Sequence, residues 1–155
     1  MSTHASRYTD KTGKDYEYSF NGIRADVFLK LAMIGAGSIL EQVNIGLRPT
    51  GGAHNVDLLI SIDDDVRHLV SLKFQEVAGT AEEKIPYEQI CLQHACETYN
   101  YETSIIVLAG PGWKHDDCYR EGILNKWMNV PYVKVVNFDE FLEMYDLWET
   151  FLEIV

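Results

Sequence analysis

The stretch Val56–Gln75, with the sequence VDLLISIDDDVRHLVSLKFQ, contains two short apolar runs separated by three aspartates. Runs of this length around a turn are typical of the two strands of a β-hairpin. In the second run, apolar residues alternate with Ser71, Lys73 and Gln75. Because a strand places alternate side chains on opposite faces, these three polar side chains are expected to share one face.

The register of the predicted hairpin brings a carboxylate to that polar face. If residues 63–65 form the loop, Asp57 lies opposite Ser71, and Lys73 lies on the diagonal at about 7–8 Å or less. A carboxylate inside an apolar run is costly to bury unless it is paired or binds a metal. From the pattern alone, a small polar site and an ordinary solvated hairpin face are equally good interpretations.

The rest of the chain alternates predicted helices with predicted strands. We expect strands over residues 39–47, 56–62, 66–74, 105–108 and 132–136, and a turn over 48–52. We also expect four helices: one over residues 23–34, one that ends near residue 99, one over 116–128 and one from 138 onward. The start of the second helix has two alternatives. Thr80 and Glu83 have the spacing of a capping box at a helix start, whereas Pro86 favours one separate turn before the helix that ends near Tyr99. This order predicts an α/β fold with a mixed central sheet flanked by helices. Residues 1–21 are interpreted as a tail or irregular strand, and all 155 residues as a single domain.

Composition excludes several classes of protein. A fraction of 46% apolar and 24% charged residues is that of a globular chain, and no apolar run approaches the roughly 20 residues of a membrane span. Three cysteines do not make a disulfide framework, so we expect a reducing, cytoplasmic setting. The net charge of −11 argues against a protein that coats DNA regardless of sequence, but not against an enzyme with a local phosphate site.

The spacing of the polar residues resembles that of a known family. Asp57 is followed by thirteen residues, then by Ser71-Leu-Lys73-Phe-Gln75, and then by GTAEEKIPY at residues 79–87. This pattern is similar to the PD-(D/E)xK nuclease superfamily, and within it to small bacterial and phage members with an (E/S)-x-K-x-Q strand. The sequence IIVLAGPGW at residues 105–113 also resembles that group. The resemblance implies a restriction-endonuclease-like fold and Mg²⁺-dependent cleavage of phosphodiester bonds in DNA, with Mn²⁺ able to substitute.

The resemblance also implies roles for individual residues. Asp57 matches the acid of the family's metal site, and Lys73 matches the lysine that orients or activates the attacking water. Gln75 matches an additional polar residue of this subgroup. Ser71 stands where most of the superfamily has Asp or Glu, which leaves the site with one carboxylate fewer. Glu41, sixteen residues upstream of Asp57, is a candidate second metal ligand and equally an ordinary surface residue.

Two functions follow from these assignments. The first is a metal-dependent DNA endonuclease of the restriction, homing or junction-resolving type, acting as a homodimer or higher homo-oligomer on duplex DNA. The aromatic stripe of the last helix is the candidate interface of that oligomer. The alternative is a catalytically impaired nuclease-fold protein that binds a protein partner or antagonises nucleases, which the serine at position 71 and the net charge of −11 favour.

Other polar residues are interpreted as ordinary. His54 follows Gly51-Gly52, and we expect a solvated turn residue there rather than a contact to phosphate. Cys91 and Cys96 are five residues apart and face different sides of a predicted helix, so they do not predict a zinc site.

Overall fold

A mixed five-stranded sheet forms the centre of the molecule in the computed structural model, which describes residues 38–61, 66–74, 80–109 and 112–144. The first three strands are antiparallel neighbours, and the last three are parallel neighbours. This arrangement confirms the expected α/β fold with a mixed sheet. In sheet order the strands are β1 (Ser38–Leu47), β2 (Ala53–Ser61), β3 (Arg67–Phe74), β4 (Thr103–Ala109) and β5 (Val133–Asn137).

Helices connect the parallel strands. A 3₁₀ turn at Thr80–Lys84 leads into α1 (Ile85–Tyr99), which is the crossover that a parallel β3–β4 pair requires. Pro86 lies in the first turn of α1, where its missing N–H has no intrahelical partner to lose. The predicted separate turn before Pro86 is therefore confirmed. Within the described ranges, no helix combines the length and apolar character needed to cross a bilayer.

The predicted helix over residues 116–128 is wrong in its length. The structure has a short helix α2 (Asp116–Arg120), a break, and a 3₁₀ helix at Ile123–Lys126. Gly122 adopts a left-handed backbone conformation with φ of 72°, which ends an α-helix. The last helix begins as predicted, as α3 (Phe138–Met144). The predicted tail over residues 1–21 and helix over 23–34 lie outside the described residues.

The core lies between α1 and one face of the sheet. The buried apolar residues of α1 recur at helical spacing and pack against buried residues of the strands. This cluster includes Ile85, Leu92, Ala95 and Cys96 from the helix and Leu59, Leu69, Ile106 and Leu108 from the strands. Leu58, the neighbour of Leu59 along β2, is buried as well. Since adjacent strand residues point to opposite faces, both faces of the sheet are covered at this position.

The β2–β3 pairing has the register that the hairpin predicts. Leu58 pairs with Val70, and Ser61 pairs with Arg67. Continued by one residue, this register places Asp57 opposite Ser71. The side chain of Ser71 is not on a solvated face, because the residue is only 3% exposed. The interpretation of this hairpin face as merely solvated is therefore wrong at Ser71.

A β-bulge interrupts the β1–β2 pairing. The register shifts between Asn44 and Leu47, so that two residues of β1, Ile45 and Gly46, lie opposite the single residue His54 of β2. Bulges bend a strand pair and increase its local twist.

Gly46 is required in this bulge for two reasons. Its φ of 121° is rarely adopted by residues with a side chain, and a Cβ at this position would overlap the ring of Tyr99. The Tyr99 ring is fixed there because its hydroxyl accepts a hydrogen bond from the N–H of Leu47 at 3.0 Å. The close approach of α1 to β1 therefore depends on the absence of a side chain at residue 46.

We predict that Gly46→Ala lowers the free energy of unfolding by at least about 2 kcal/mol, because backbone strain and steric overlap add. Gly51→Ala is the control for strain alone, since Gly51 has φ of 98° but nothing within 4 Å of an added Cβ. Gly52→Ala is the control with open space and no positive φ. Denaturant unfolding should show the largest loss of unfolding free energy for Gly46→Ala, a smaller loss for Gly51→Ala and the smallest loss for Gly52→Ala. Equal losses at Gly46 and Gly51 would show that Tyr99 moves freely aside.

Candidate functional site

The carboxylate of Asp57 is held from two sides where the β2–β3 ladder ends. The backbone N–H of Leu72 donates a hydrogen bond to Asp57 Oδ2 at 2.6 Å, and the side-chain amide of Gln42 donates to Oδ1 at 3.3 Å. Hydrogen bonds to an ionised acceptor are shorter and stronger than neutral ones. Asp57 is half-buried, and its carboxylate is fixed against β3 at the residue next to Lys73.

Gln42 reaches Asp57 from an unusual backbone conformation. Its φ is 50°, in the left-handed region that residues other than glycine rarely adopt. Strain of this kind costs about 1–3 kcal/mol and is concentrated at functional sites. Sequence reasoning missed Gln42, because no residue pattern in β1 marks a left-handed position. A glutamine one residue after the candidate ligand Glu41 was the only available signal.

Lys73 is half-buried, with 37% of its side chain exposed. It follows Leu72, whose backbone N–H donates to the carboxylate of Asp57, so Lys73 is one residue along β3 from the group that binds Asp57. The Nζ atom of Lys73 lies 4.0 Å from Glu88 Oε2, across the space between β3 and α1. Ser71, two residues before Lys73 on β3, is buried, with 3% of the residue exposed.

Glu88 is a further site residue that sequence reasoning missed. It lies on α1 three residues after Ile85 and four before Leu92, both of which are fully buried. This spacing puts Glu88 within the inward-facing stripe of the helix, and its side chain is only 10% exposed. A carboxylate at a core position of an amphipathic helix is the signal that would have revealed it.

His54 contacts the same carboxylate and is buried, so its interpretation as a solvated turn residue is wrong. The residue is 1% exposed, and its Nε2 atom lies 3.4 Å from Glu88 Oε1. An ionised carboxylate only accepts hydrogen bonds, so Nε2 is the donor in this pair. His54 shares with Val56 and Leu58 the alternating positions of β2 that are buried, and this alternation was a usable signal in the sequence.

The environment of Glu88 keeps its carboxylate ionised. Burial, the largest effect, raises the pKa of Glu88, but the hydrogen bond from His54 and the positive charge of Lys73 lower it, as do the charges of His54 and Arg48. The net result is a pKa below the ordinary value for glutamate. The described part of the site therefore holds two carboxylates: Asp57, bound by the backbone N–H of Leu72, and Glu88, 4.0 Å from Lys73 Nζ.

Two predicted site residues are described only in part or not at all. Glu41 lies in β1, where its backbone is paired with Leu58, the neighbour of Asp57. Its side chain is not among those that the structure describes. Gln75 follows the end of β3 and lies outside the described residues.

Comparisons with known proteins place the chain in a family. A family model described as the PD-(D/E)XK nuclease superfamily domain matches residues 5–148. The crystal structure of the protein of unknown function AF1548 is similar in fold, with 12% sequence identity and a TM-score of 0.43, over 78% of this chain and 58% of that chain. This chain thus covers less than two thirds of that structure. No curated protein matches the present chain. Because the family model spans most of its length, the chain belongs to the PD-(D/E)XK nuclease superfamily.

Proposed function

We propose that the protein is a metal-dependent DNA endonuclease that hydrolyses phosphodiester bonds. The observation that carries this proposal is the junction of β2 and β3, where Asp57 is bound to the N–H of Leu72 and Lys73 is the next residue. A fixed carboxylate beside a half-exposed ammonium group offers one group for a cation and one for an anionic phosphate or a water. Membership of a superfamily whose members are usually nucleases supports the same function.

The residues present fit a hard divalent cation. Mg²⁺ prefers oxygen ligands and is usually bound by one or two carboxylates, with waters and substrate phosphate completing the shell. Asp57 offers Oδ1, whose only described partner is the long contact to Gln42. Among the described residues, no group of three or more His, Cys, Asp or Glu side chains is clustered as a metal site. Asp57 would therefore hold Mg²⁺ or Mn²⁺ with few protein ligands, and Glu41 is the proposed second one.

Each residue of the site has a separate proposed role in hydrolysis. A bound divalent cation supplies Lewis-acid polarisation of the scissile phosphate. Lys73 orients the attacking water and stabilises negative charge on the phosphate oxygens as the water oxygen bonds to phosphorus and the sugar oxygen departs. Gln75 and Ser71 are proposed to hold the water or the phosphate by hydrogen bonds. One such site cuts one strand, so cleavage of a duplex requires a second protomer, and we propose a homodimer or higher homo-oligomer.

A second function is favoured by the composition of the same site. Ser71 provides no charge where most of the superfamily has an acid, and the chain as a whole carries a net charge of −11. Both features suit a nuclease fold that has lost catalysis and binds a protein partner, as a nuclease antagonist or assembly factor would. Metal binding separates the two functions, because only the nuclease needs an intact cation site.

We predict that the purified protein nicks or cuts DNA with Mg²⁺ or Mn²⁺ and is inactive in EDTA. The assay uses supercoiled plasmid, linear, branched and single-stranded DNA, analysed on gels. Cleavage that persists in EDTA would contradict the metal-dependent mechanism. Absence of cleavage on all four substrates, together with absence of Mn²⁺ binding in calorimetry, would favour the protein-binding function.

We predict that Lys73→Ala lowers kcat by at least about a hundredfold, which is the usual effect of removing a group that handles the attacking water. The free energy of unfolding should change by about 1 kcal/mol or less, because the side chain is 37% exposed and its ion pair is long. Lys134→Ala, which removes an exposed lysine of β5, is the matched control and should retain full activity. A large loss of stability in Lys73→Ala would instead identify a structural lysine.

We predict that Ser71→Asp tightens Mn²⁺ binding, because position 71 lies opposite Asp57 and two carboxylates would then share the cation. Without metal, the added charge raises the pKa of one of the two carboxyl groups, since like charges oppose ionisation. Ser71→Asn has the same size without the charge and is the control for steric effects at this buried position. Isothermal titration of Mn²⁺ into each folded variant measures the effect. Unchanged or weaker affinity in Ser71→Asp than in Ser71→Asn would show that residue 71 does not face the metal.

A further inference from the structure

The buried pair His54–Glu88 stands out because neither group is needed to fill the core. Glu88 occupies an inward position of α1 where an apolar residue would pack, and His54 is 1% exposed. The Nδ1 atom of His54 is buried without a hydrogen-bond partner among the described residues. Replacing a buried ion pair by apolar residues of similar volume is often neutral or stabilising. Stability therefore does not account for keeping these two polar groups together.

The contacts of Glu88 instead direct it to the candidate site. Its two carboxylate oxygens have different partners, since Oε1 is within 3.4 Å of His54 Nε2 and Oε2 is 4.0 Å from Lys73 Nζ. A hydrogen bond to one oxygen limits rotation of the carboxylate about its terminal torsion. His54 is thus placed to fix the direction in which the other oxygen faces Lys73.

Lys73 needs such a partner. A lysine carries its charge on a flexible four-carbon stem, and a catalytic group acts only when it is held close to its productive position. Asp57 does not supply this restraint, because its described hydrogen bonds are to Gln42 and to the backbone of Leu72. Glu88 is the carboxylate that the described structure places within ion-pair distance of Lys73.

We propose that Glu88, oriented by His54, is a positioning residue that holds the Lys73 ammonium group in place for phosphodiester hydrolysis. This inference rests on the proposed nuclease function. In this positioning role, Glu88 acts through Lys73 and does not bind the metal. Glu88 and His54 would then affect the rate of the chemical step, but neither the affinity for the metal nor that for DNA.

The first experiment is a double-mutant cycle on cleavage of plasmid DNA. Glu88→Gln should lower kcat about ten- to a hundredfold, as loss of an orienting partner typically does, with KM for DNA and the half-saturating Mn²⁺ concentration within about twofold of wild type. In the Lys73→Ala background, Glu88→Gln should cause no further loss, because the group it positions is already gone. Glu97→Gln, an exposed position on the same helix, is the matched control and should leave activity unchanged.

Variants of His54 test the orienting contact. His54→Leu removes the donor to Glu88 and should lower kcat as Glu88→Gln does, whereas His54→Gln retains an amide N–H donor and should restore most of the activity. If Glu88→Gln does not fold, Glu88→Asp keeps the charge one methylene further back and should lower kcat at unchanged Mn²⁺ half-saturation. Losses that multiply in the double mutant, or an at least tenfold rise in half-saturating Mn²⁺ in either Glu88 variant, would overturn the proposal.

A measurement without substrate separates this inference from the proposed function. The mobility of the Lys73 side chain is read from the order parameter of its ¹³C-labelled Cε in metal-free protein. Assignment of the signal comes from its loss in Lys73→Arg. The order parameter should fall in Glu88→Gln and in His54→Leu, but not in Glu97→Gln, even if wild-type protein cleaves no DNA. An unchanged order parameter in Glu88→Gln would overturn the positioning role whatever the activity of the protein.

Discussion

The antiparallel ladder between β2 and β3 determines the position of the candidate site. Continued by one residue beyond Leu58 and Val70, its register places Asp57 opposite Ser71, and a slip of one residue would send either Asp57 or Lys73 to the other face of the sheet. Burial on both faces resists such a slip, because Leu58 and Leu59 would exchange environments that are already filled. The position of the site therefore follows from core packing, because Asp57 and Ser71 are the next residues beyond the buried pair Leu58 and Val70.

Charge is distributed differently over the whole chain and at the site. The chain carries a net charge of −11, which repels a polyanion at a distance. At the site, the positive charges of Lys73 and Arg48 act on the buried carboxylate of Glu88, and the carboxylate of Asp57 is bound by the backbone N–H of Leu72. Salt at physiological concentration screens exposed charges beyond about 8 Å, so these nearby groups dominate what a phosphate at the site would experience. A negative chain and a local anion site are compatible for that reason.

The sequence predicted the elements that have a strong period and missed those that depend on a single backbone angle. Alternation along β3 and the position of the aspartates were enough to predict the hairpin register that holds Asp57 and Lys73. The end of α2 depends on one left-handed residue, Gly122, which an apolar helical period does not reveal. Glu88 was predictable from its core position on α1, but it lies outside the strand motif that contains Asp57 and Lys73. His54 was misinterpreted because glycines before it suggested a turn, although β2 extends through it.

The bulge in β1 has a consequence for assembly. β1 is an edge strand of the described sheet, and unpaired backbone groups at an edge are a template for strands of other chains. Here two consecutive edge amides already have intramolecular acceptors, since Gly46 donates to the side chain of Asn44 and Leu47 donates to the hydroxyl of Tyr99. A second molecule approaching this end of β1 meets no continuous row of open donors. Protomers that associate there would have to do so through side chains, because the sheet cannot be extended across the bulge.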